Sequence, residues 1–494
     1  MSTVKKLFQS SGLLVGIRFF QRSLGLISTL ILARLLTPED FGIVAVSALI
    51  IHFSDVLSNT GIQQYIVQAE DSSDETVNTA WTLNLGLKTV VCLILYILLP
   101  GISWFYDDPN IIYAVAILIP VIFIRALVNP ELYVQRRELN YGIIFKIGVI
   151  SKLISFAAVV VVALLTQSFW AIIVGDIIAS LASLVLSYSY CERRPKLSVR
   201  NIGTQWSFSK WMLARGSIGY LRAQADTLLV SQFYSLAQLG KFNIAREFTI
   251  MPANEIIQPS VEPLLATFSS VRSDHVKLRQ QVSLALLVIS IFTAPFVAFI
   301  YKFHEPIIYY LLGESWLEAA PLMQAMTPLL FAFALGGILN NICFALSKVK
   351  FVFWYDFLSL VAIFGVLFLA RSMNLIDFIW MRSFIGLISV VLFLYFCCRL
   401  IDASFTKQIL FLTLPLLLSF FIVMSVSLFI PHKTFLFLFA NSVAFFVLYG
   451  SAILALSFIL SKRSEVWAYV FEYSLKLIYL LRKSSFKLLK KESE

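Results

Sequence analysis

The sequence predicts an all-α integral membrane protein of about fourteen transmembrane helices. Two observations carry that expectation. The first is composition: of 494 residues, 59% are hydrophobic and only 14% are charged, against roughly 25% charged in a soluble globular protein. Charge that sparse cannot cover a soluble surface of this size. The second is patterning. Apolar residues come in runs of about twenty, long enough for a helix to cross ~30 Å of hydrocarbon; residues 143–165, 351–370 and 410–430 are examples. The runs do not alternate, so they suit helices and not barrel strands.

Taken in order, the first element lies near 11–34, behind Lys5 and Lys6. It is too long, and too interrupted by Arg18 and Arg22, for the apolar part of a cleaved signal. Spans two to six follow near 42–66, 77–100, 110–129, 142–165 and 168–190, and spans seven to twelve near 208–232, 241–266, 282–302, 319–341, 351–371 and 376–399. The eighth is the weakest by hydropathy, since it holds Arg246, Glu247, Asn254, Glu255 and Glu262. Spans thirteen and fourteen, near 407–430 and 434–460, complete the set. The tail, 461–494, sets Trp467, Val470, Phe471, Leu475, Ile478 and Leu481 among lysines and arginines at helical spacing. It reads as a basic amphipathic helix on an anionic leaflet, with a solvated tail as the alternative.

The net charge of +11 is a topology signal, not a mark of nucleic-acid binding. With a cytoplasmic N-terminus and fourteen spans, the basic runs all fall inside: Lys5 and Lys6, Arg136 and Arg137, Arg193 to Arg200, Arg272 to Arg279, Lys348 and Lys350, Arg399 and Lys407, and the tail. Only Arg34, Lys241, Lys302, Arg371 and Lys433 fall outside. A miscounted helix would scramble that asymmetry. Both termini are therefore expected in the cytoplasm. Trp104, Phe105, Tyr106, Trp170, Tyr309, Tyr310 and Trp316 form an aromatic belt at the outer interface.

Two stretches look alike. Ile31–Ser47 and Val230–Ala245 each hold the end of a long helix, a short polar turn, a glycine and the start of the next helix, with Phe41-Gly42 falling on Leu239-Gly240. Asn129–Arg137 before span five matches Asn340–Lys348 before span eleven. The pattern predicts two pseudo-symmetric six-helix lobes, 1–200 and 201–405, joined by the basic loop Cys191–Gln205. Residues 406–460 are then two additional helices. Parallel repeats with a substrate site between them are a common transporter plan.

Ala33–Gly42, reading ARLLTPEDFG, resembles the signature after the first helix of Wzx-type oligosaccharide flippases, a polysaccharide-transport branch of the MOP superfamily. Further similarities follow in register. These are the run from Leu239 to Glu247, Asp226 on span seven, and Gly313-Glu314-Ser315-Trp316 followed by Ala319-Ala320-Pro321. Lys241 stands at a usually apolar position of that pattern and Ala266 at a usual proline. The resemblance implies a fourteen-helix, two-lobe exporter of undecaprenyl-diphosphate-linked oligosaccharide repeat units in the bacterial cytoplasmic membrane. A polysaccharide polymerase and a chain-length regulator would be its partners, beside the membrane lipids.

Charges inside the spans are the candidate site. A charge at a helix centre costs ~2.5–3.5 kcal/mol on insertion scales, so these groups should face protein or water. Arg18 and Arg22, four apart, share one face of span one. Lys88, Lys152 and Arg222 lie well inside spans three, five and seven. These five cations are expected to line a central cavity and bind a diphosphate, arginine through its planar fork and lysine as a point charge. Ion pairing within the protein is the alternative, for instance Arg222 with Asp226. Arg125, Lys146 and Arg215, near cytoplasmic ends, fit snorkelling instead. Asp55, Asp176, Asp226, Glu247 and Glu255 are expected either to carry a coupling proton or sodium ion or to be counter-charges.

No enzyme chemistry is expected. The outer loops are short, Asp107-Asp108 reads as a solvated turn, and no phosphate-binding GxxxxGK[ST] loop is present. The five cysteines and four histidines lack metal-ligand spacing, so neither a metal nor a cofactor is expected. Two rival readings stay open: a cation-coupled small-molecule exporter of the same superfamily, and a membrane polymerase or glycosyltransferase.

Overall fold

A computed structural model describes residues 3–68, 73–138, 140–200, 202–429 and 435–476. Among them there is no strand; apart from residues 191–199 they are helices and short turns. It packs as two compact units, one of residues 1–243 with 311–315, the other of 244–310 with 316–494.

The first unit holds α1 (Thr3–Leu35), α2 (Pro38–Leu57), α3 (Ile62–Gln68), α4 (Asp74–Tyr106), α5 (Pro109–Leu127), α6 (Glu131–Arg137), α7 (Gly142–Thr166), α8 (Trp170–Tyr190), α9 (Ile202–Phe233) and the start of α10 (Leu236–Pro252). Small residues set the approach of its helices. The backbone of Gly148 on α7 lies against Ile17 of α1, and its carbonyl accepts Gln21 Nε2 at 3.3 Å. Gly175 of α8 lies against Val159 of α7, and its carbonyl accepts Ser155 Oγ at 2.9 Å. The short helices α3 and α6 join Trp81 and Val77 of α4 in a separate apolar cluster. Sequence periodicity hid both, because each is only seven residues long.

Residues 191–199 carry no regular structure yet are tied down along their length. Arg193 N donates to Glu131, Arg193 Nη1 pairs with Asp74, Lys196 N donates to Asn78 and Ser198 N to Thr82. Burial, reinforced by the Glu131 carboxylate and opposed by Arg194, pushes the Cys191 thiol up to about 11, so it stays protonated and inert.

The second unit holds α11 (Gln258–Val261), α12 (Leu264–Ser270), most of α13 (His275–Leu312), α14 (Ala320–Ala325), α15 (Thr327–Ala345), α16 (Val349–Leu369), α17 (Leu375–Leu400), α18 (Phe405–Phe429) and α19 (Phe435–Ser461). The eighth span, expected as one helix over 241–266, is broken. A π-helical turn, Ala253–Ile257, follows Pro252; Pro259 is the second residue of α11 and Pro263 is the N-cap of α12. Each proline removes a backbone donor and clashes with the preceding turn. Side chains tie the broken span to α15: Gln258 Nε2 donates to Phe333 O at 3.1 Å, and Asn341 Nδ2 to Val261 O at 2.9 Å.

The last two long helices pack on α13. Ser290 Oγ donates to Leu412 O, Ser419 Oγ to Ala294 O and Tyr449 Oη to Ile291 O. Phe303, Val423 and Phe445 are sealed in the apolar cluster beside them. Residues 465–476 form a further helix whose Trp467 and Val470 bury against Leu287 of α13. The apolar side of that tail helix thus finds protein; Ile478 and Leu481 lie outside the described residues.

Eleven helices among the described residues are long and apolar enough to cross a membrane. Large apolar side chains stand outward on them, such as Leu165 at 79% and Leu369 at 81% exposure. Such a surface belongs in lipid. The long helices that miss the apolar threshold are α1 and α9, interrupted by Arg18, Arg22 and Arg34 and by Lys210, Arg215, Arg222 and Asp226.

Candidate functional site

The charged helices of the first unit carry two different arrangements. The first is a chain of ion pairs across four helices. Lys88 Nζ of α4, only 8% exposed as a residue, contacts Asp55 Oδ1 of α2. Arg125 of α5 reaches Asp55 Oδ2 at 3.8 Å and donates to Asp176 Oδ1 of α8 at 2.6 Å. Its Nε donates to Ser180 Oγ at 3.3 Å. Two cations and two anions cancel, so this chain has no net charge with which to draw an anion. It binds α2, α4, α5 and α8 together.

Arg125 is the residue that sequence reasoning set aside. Its position near a helix end suggested a side chain reaching for the interface. In the fold it turns to Asp176 instead, and nothing in one linear sequence pairs positions 51 residues apart. Lys88 and Asp55 show the same limit, being 33 apart.

The second arrangement is a set of cations outside that chain. Arg18 is exposed and Arg22 half-buried on α1, one position on from Ile17 and Gln21, which face α7. Lys152, half-buried, stands one turn past Gly148 on α7. Among the described residues neither Arg18 nor Lys152 has an ion-pair partner. Arg222 is half-buried on α9, and Asp226, one turn later, is 1% exposed with Oδ1 accepting the Thr227 N–H. In the second unit Glu247 is half-buried and Glu255, in the π-helical turn, is exposed. No cluster of three or more His, Cys, Asp or Glu side chains able to hold a metal ion occurs among the described residues.

The signature turn has its own geometry. Thr37 caps α2, Pro38 is its first residue, and Asp40 completes a capping box: Oδ2 accepts Thr37 N at 2.9 Å, and Thr37 Oγ1 accepts Asp40 N at 3.3 Å. The other oxygen, Oδ1, accepts Phe169 N at 3.0 Å, at the start of α8. One carboxylate therefore serves two helix N-termini, where a negative charge is favoured. Ser235 and Gln238 repeat the box at α10. Gln238 Oε1 accepts Ser235 N at 3.1 Å, and Ser235 Oγ accepts Gln238 N at 3.3 Å. The same pair of hydrogen bonds thus recurs at both turns.

A helical, many-span body with paired capping turns and cations set into its helices defines a polytopic membrane protein. The profile of a family described as "Polysaccharide biosynthesis protein" matches residues 31–321, more than half of the chain, and the chain belongs to that family. Similar curated proteins include the lipopolysaccharide biosynthesis protein WzxC of Escherichia coli (strain K12), 26% identical over 345 residues, covering 67% of this chain and 68% of that one. The succinoglycan biosynthesis transport protein ExoT of Rhizobium meliloti (strain 1021) is 22% identical over 59% of this chain and 60% of its own. Among solved structures, the lipid II flippase MurJ aligns with a TM-score of 0.69 and 15% identity over 88% of this chain and 97% of that one. A multidrug resistance MATE transporter of the MOP superfamily aligns at 0.58 and 13%, covering 77% and 94%. The family expected from ARLLTPEDFG is the family found.

Proposed function

We propose that the protein is a flippase that carries undecaprenyl-diphosphate-linked oligosaccharide units from the cytoplasmic to the outer leaflet for surface polysaccharide synthesis. The observation that carries this reading is the membership of a polysaccharide biosynthesis family on a fold shared with a lipid II flippase. The names of the relatives, a lipopolysaccharide and a succinoglycan protein, support a lipid-linked sugar as cargo. Eleven apolar helices among the described residues support a many-span body, and α1, α9 and the broken eighth span complete fourteen spans in this reading. Both termini lie in the cytoplasm, as the basic loops require. The repeats are 1–200 and 201–405, and a polymerase and chain-length regulator act downstream. The chain itself makes and breaks no covalent bond.

Arg18, Arg22, Lys152 and Arg222 are the cations that meet the diphosphate. They stand on α1, α7 and α9 of one compact unit. A cation inside a span is costly in hydrocarbon and is stabilised by an anionic guest. Lys88 belongs instead to the counter-charge chain, with Asp55, Arg125 and Asp176. Asp226, Glu247 and Glu255 either carry a coupling proton or sodium ion or serve as counter-charges. Flux in vesicles that ignores both gradients would remove that role.

The test is depletion of the protein in a cell that makes the polymer. Lipid-linked oligosaccharide should accumulate on the cytoplasmic leaflet. Drug hypersensitivity without that accumulation would favour the small-molecule exporter. In the same cells, Arg18→Ala with Arg22→Ala should cut export by at least about tenfold, the loss of roughly 1.4 kcal/mol in substrate binding. Full export at normal protein level would take both residues out of the mechanism.

A further inference from the structure

The turn between α17 and α18 encloses a cavity of about 360 Å³, lined by Tyr395, Cys398, Arg399, Asp402, Ala403 and Phe405. All six belong to the second unit, and none is a residue assigned to the cargo. Asp402 shapes the turn. Its φ of 53° is left-handed, a conformation that Asp and Asn tolerate. Its carbonyl accepts Arg279 Nη1 at 3.0 Å, and Ala403 N donates back to Cys398 O at 2.9 Å.

Arg399 is exposed but held. Its guanidinium carbon lies 5.4 Å from the Tyr395 ring centroid, and Nε and Nη2 donate to Tyr395 Oη at 3.2 and 3.0 Å. Phe405 sets its ring edge-on to Tyr395 at 5.6 Å. Among the described residues Arg399 has no ion-pair partner and its Nη1 no acceptor. The first turn of α18 starts at Phe405, on the cavity wall, so the positive end of its dipole and exposed Lys407 add to the field of Arg399. Asp402 is the acid at this turn, against Arg279, Arg399 and Lys407.

An apolar stripe leads to the same place. Ile388, Leu392 and Tyr395 stand exposed on α17, three or four residues apart and so on one face, and Arg399 follows at the same spacing. A ligand that satisfies both ends has an anionic head and an apolar tail. An arginine that only snorkels to the interface needs no cavity beside it. A free phosphate would use the head end and leave the stripe idle.

We propose that this cavity is a phospholipid site, in which Arg399 holds the phosphate of an anionic glycerophospholipid and the acyl chains lie along α17. An arginine fork suits phosphate oxygens. The volume is at the lower end of the range of ligand pockets, ~300–1,000 Å³, which suits a glycerophosphate head and not an oligosaccharide diphosphate. In the orientation proposed above, the lipid comes from the cytoplasmic leaflet. The inference stands apart from the flippase reading, since lipid occupancy needs no cargo.

The test is native mass spectrometry of the full chain in detergent, titrated with phosphatidylglycerol or phosphatidylcholine. Phosphatidylglycerol should bind at least about tenfold more tightly, and Arg399→Gln should remove that preference. Arg399→Lys should keep part of it, as a point charge without the fork. Arg371→Gln is the control: Arg371 is also exposed over an aromatic ring, 4.3 Å from the Phe368 centroid, but lies outside the cavity, and its loss should change nothing. The absence of any preference, or equal losses in R399Q and R371Q, would overturn the site. Glycerol 3-phosphate or inorganic phosphate at millimolar concentration should not displace the lipid; displacement would show a soluble phosphate as the ligand and overturn the lipid. Should R399Q fail to accumulate, Asp402→Asn decides, since Asn keeps the left-handed turn. Removing that acid should strengthen phosphatidylglycerol binding severalfold, and unchanged or weaker binding would overturn the proposal.

Discussion

At the scale of single residues, the decisive distinction is between charges that answer one another and charges that do not. Asp55, Lys88, Arg125 and Asp176 form a neutral chain. Removing one member strands another in a partly desolvated place. Asp55→Asn or Lys88→Gln should each lower stability in detergent by on the order of 3 kcal/mol, read as a fall in thermal unfolding temperature. The Asp55→Asn, Lys88→Gln double variant should lose less than the two single losses added, because the second change removes the charge that the first exposed. Additive losses would mean that the two side chains do not meet in the membrane. Arg18 and Lys152 differ in kind. Their truncation should affect export more than stability, since they hold no helix in place.

At the scale of elements, turns and helix ends carry more information than helix middles. Thr37→Ala removes one cap from α2 and should cost about 1 kcal/mol. Asp40→Ala loses that box and the cap on α8 together, so its cost should be close to twice as large, measured by the same thermal unfolding. Equal effects of the two variants would show that the Phe169 hydrogen bond adds nothing. These turns were legible in the sequence because Thr37-Pro38-Glu39-Asp40 is local chemistry: a hydroxyl, a fixed φ and a carboxylate at set spacing. The long apolar spans were legible for the same reason. What was not legible depends on distant partners. α3 and α6 are too short to show a period, and the seat of Trp467 against Leu287 needs α13 in place. The break in the eighth span lies between these cases. Pro252, Pro259 and Pro263 were visible, but the π-helical turn that absorbs them was not.

At the scale of the whole molecule, α18 and α19 are part of the structure of the second unit. They hydrogen-bond α13 at Ser290, Ala294 and Ile291, and the tail helix covers Leu287. Trp467→Ala should cost about 3–5 kcal/mol, visible as lower accumulation and earlier unfolding; wild-type stability would show that the tail is not seated. The segment 191–199 also carries a consequence. It offers Arg193, Arg194 and Lys196, and a protease that cuts after basic residues would be expected to sever the halves there first. A cleavage site must fit the enzyme's cleft as an extended, released strand. This one is already spoken for by Glu131, Asp74, Asn78 and Thr82. Limited trypsin digestion in detergent should therefore nick at exposed Lys462 and Arg463 well before the connection between the halves, leaving a nearly full-length fragment. The apparent leash is a clasp on α4 and α6.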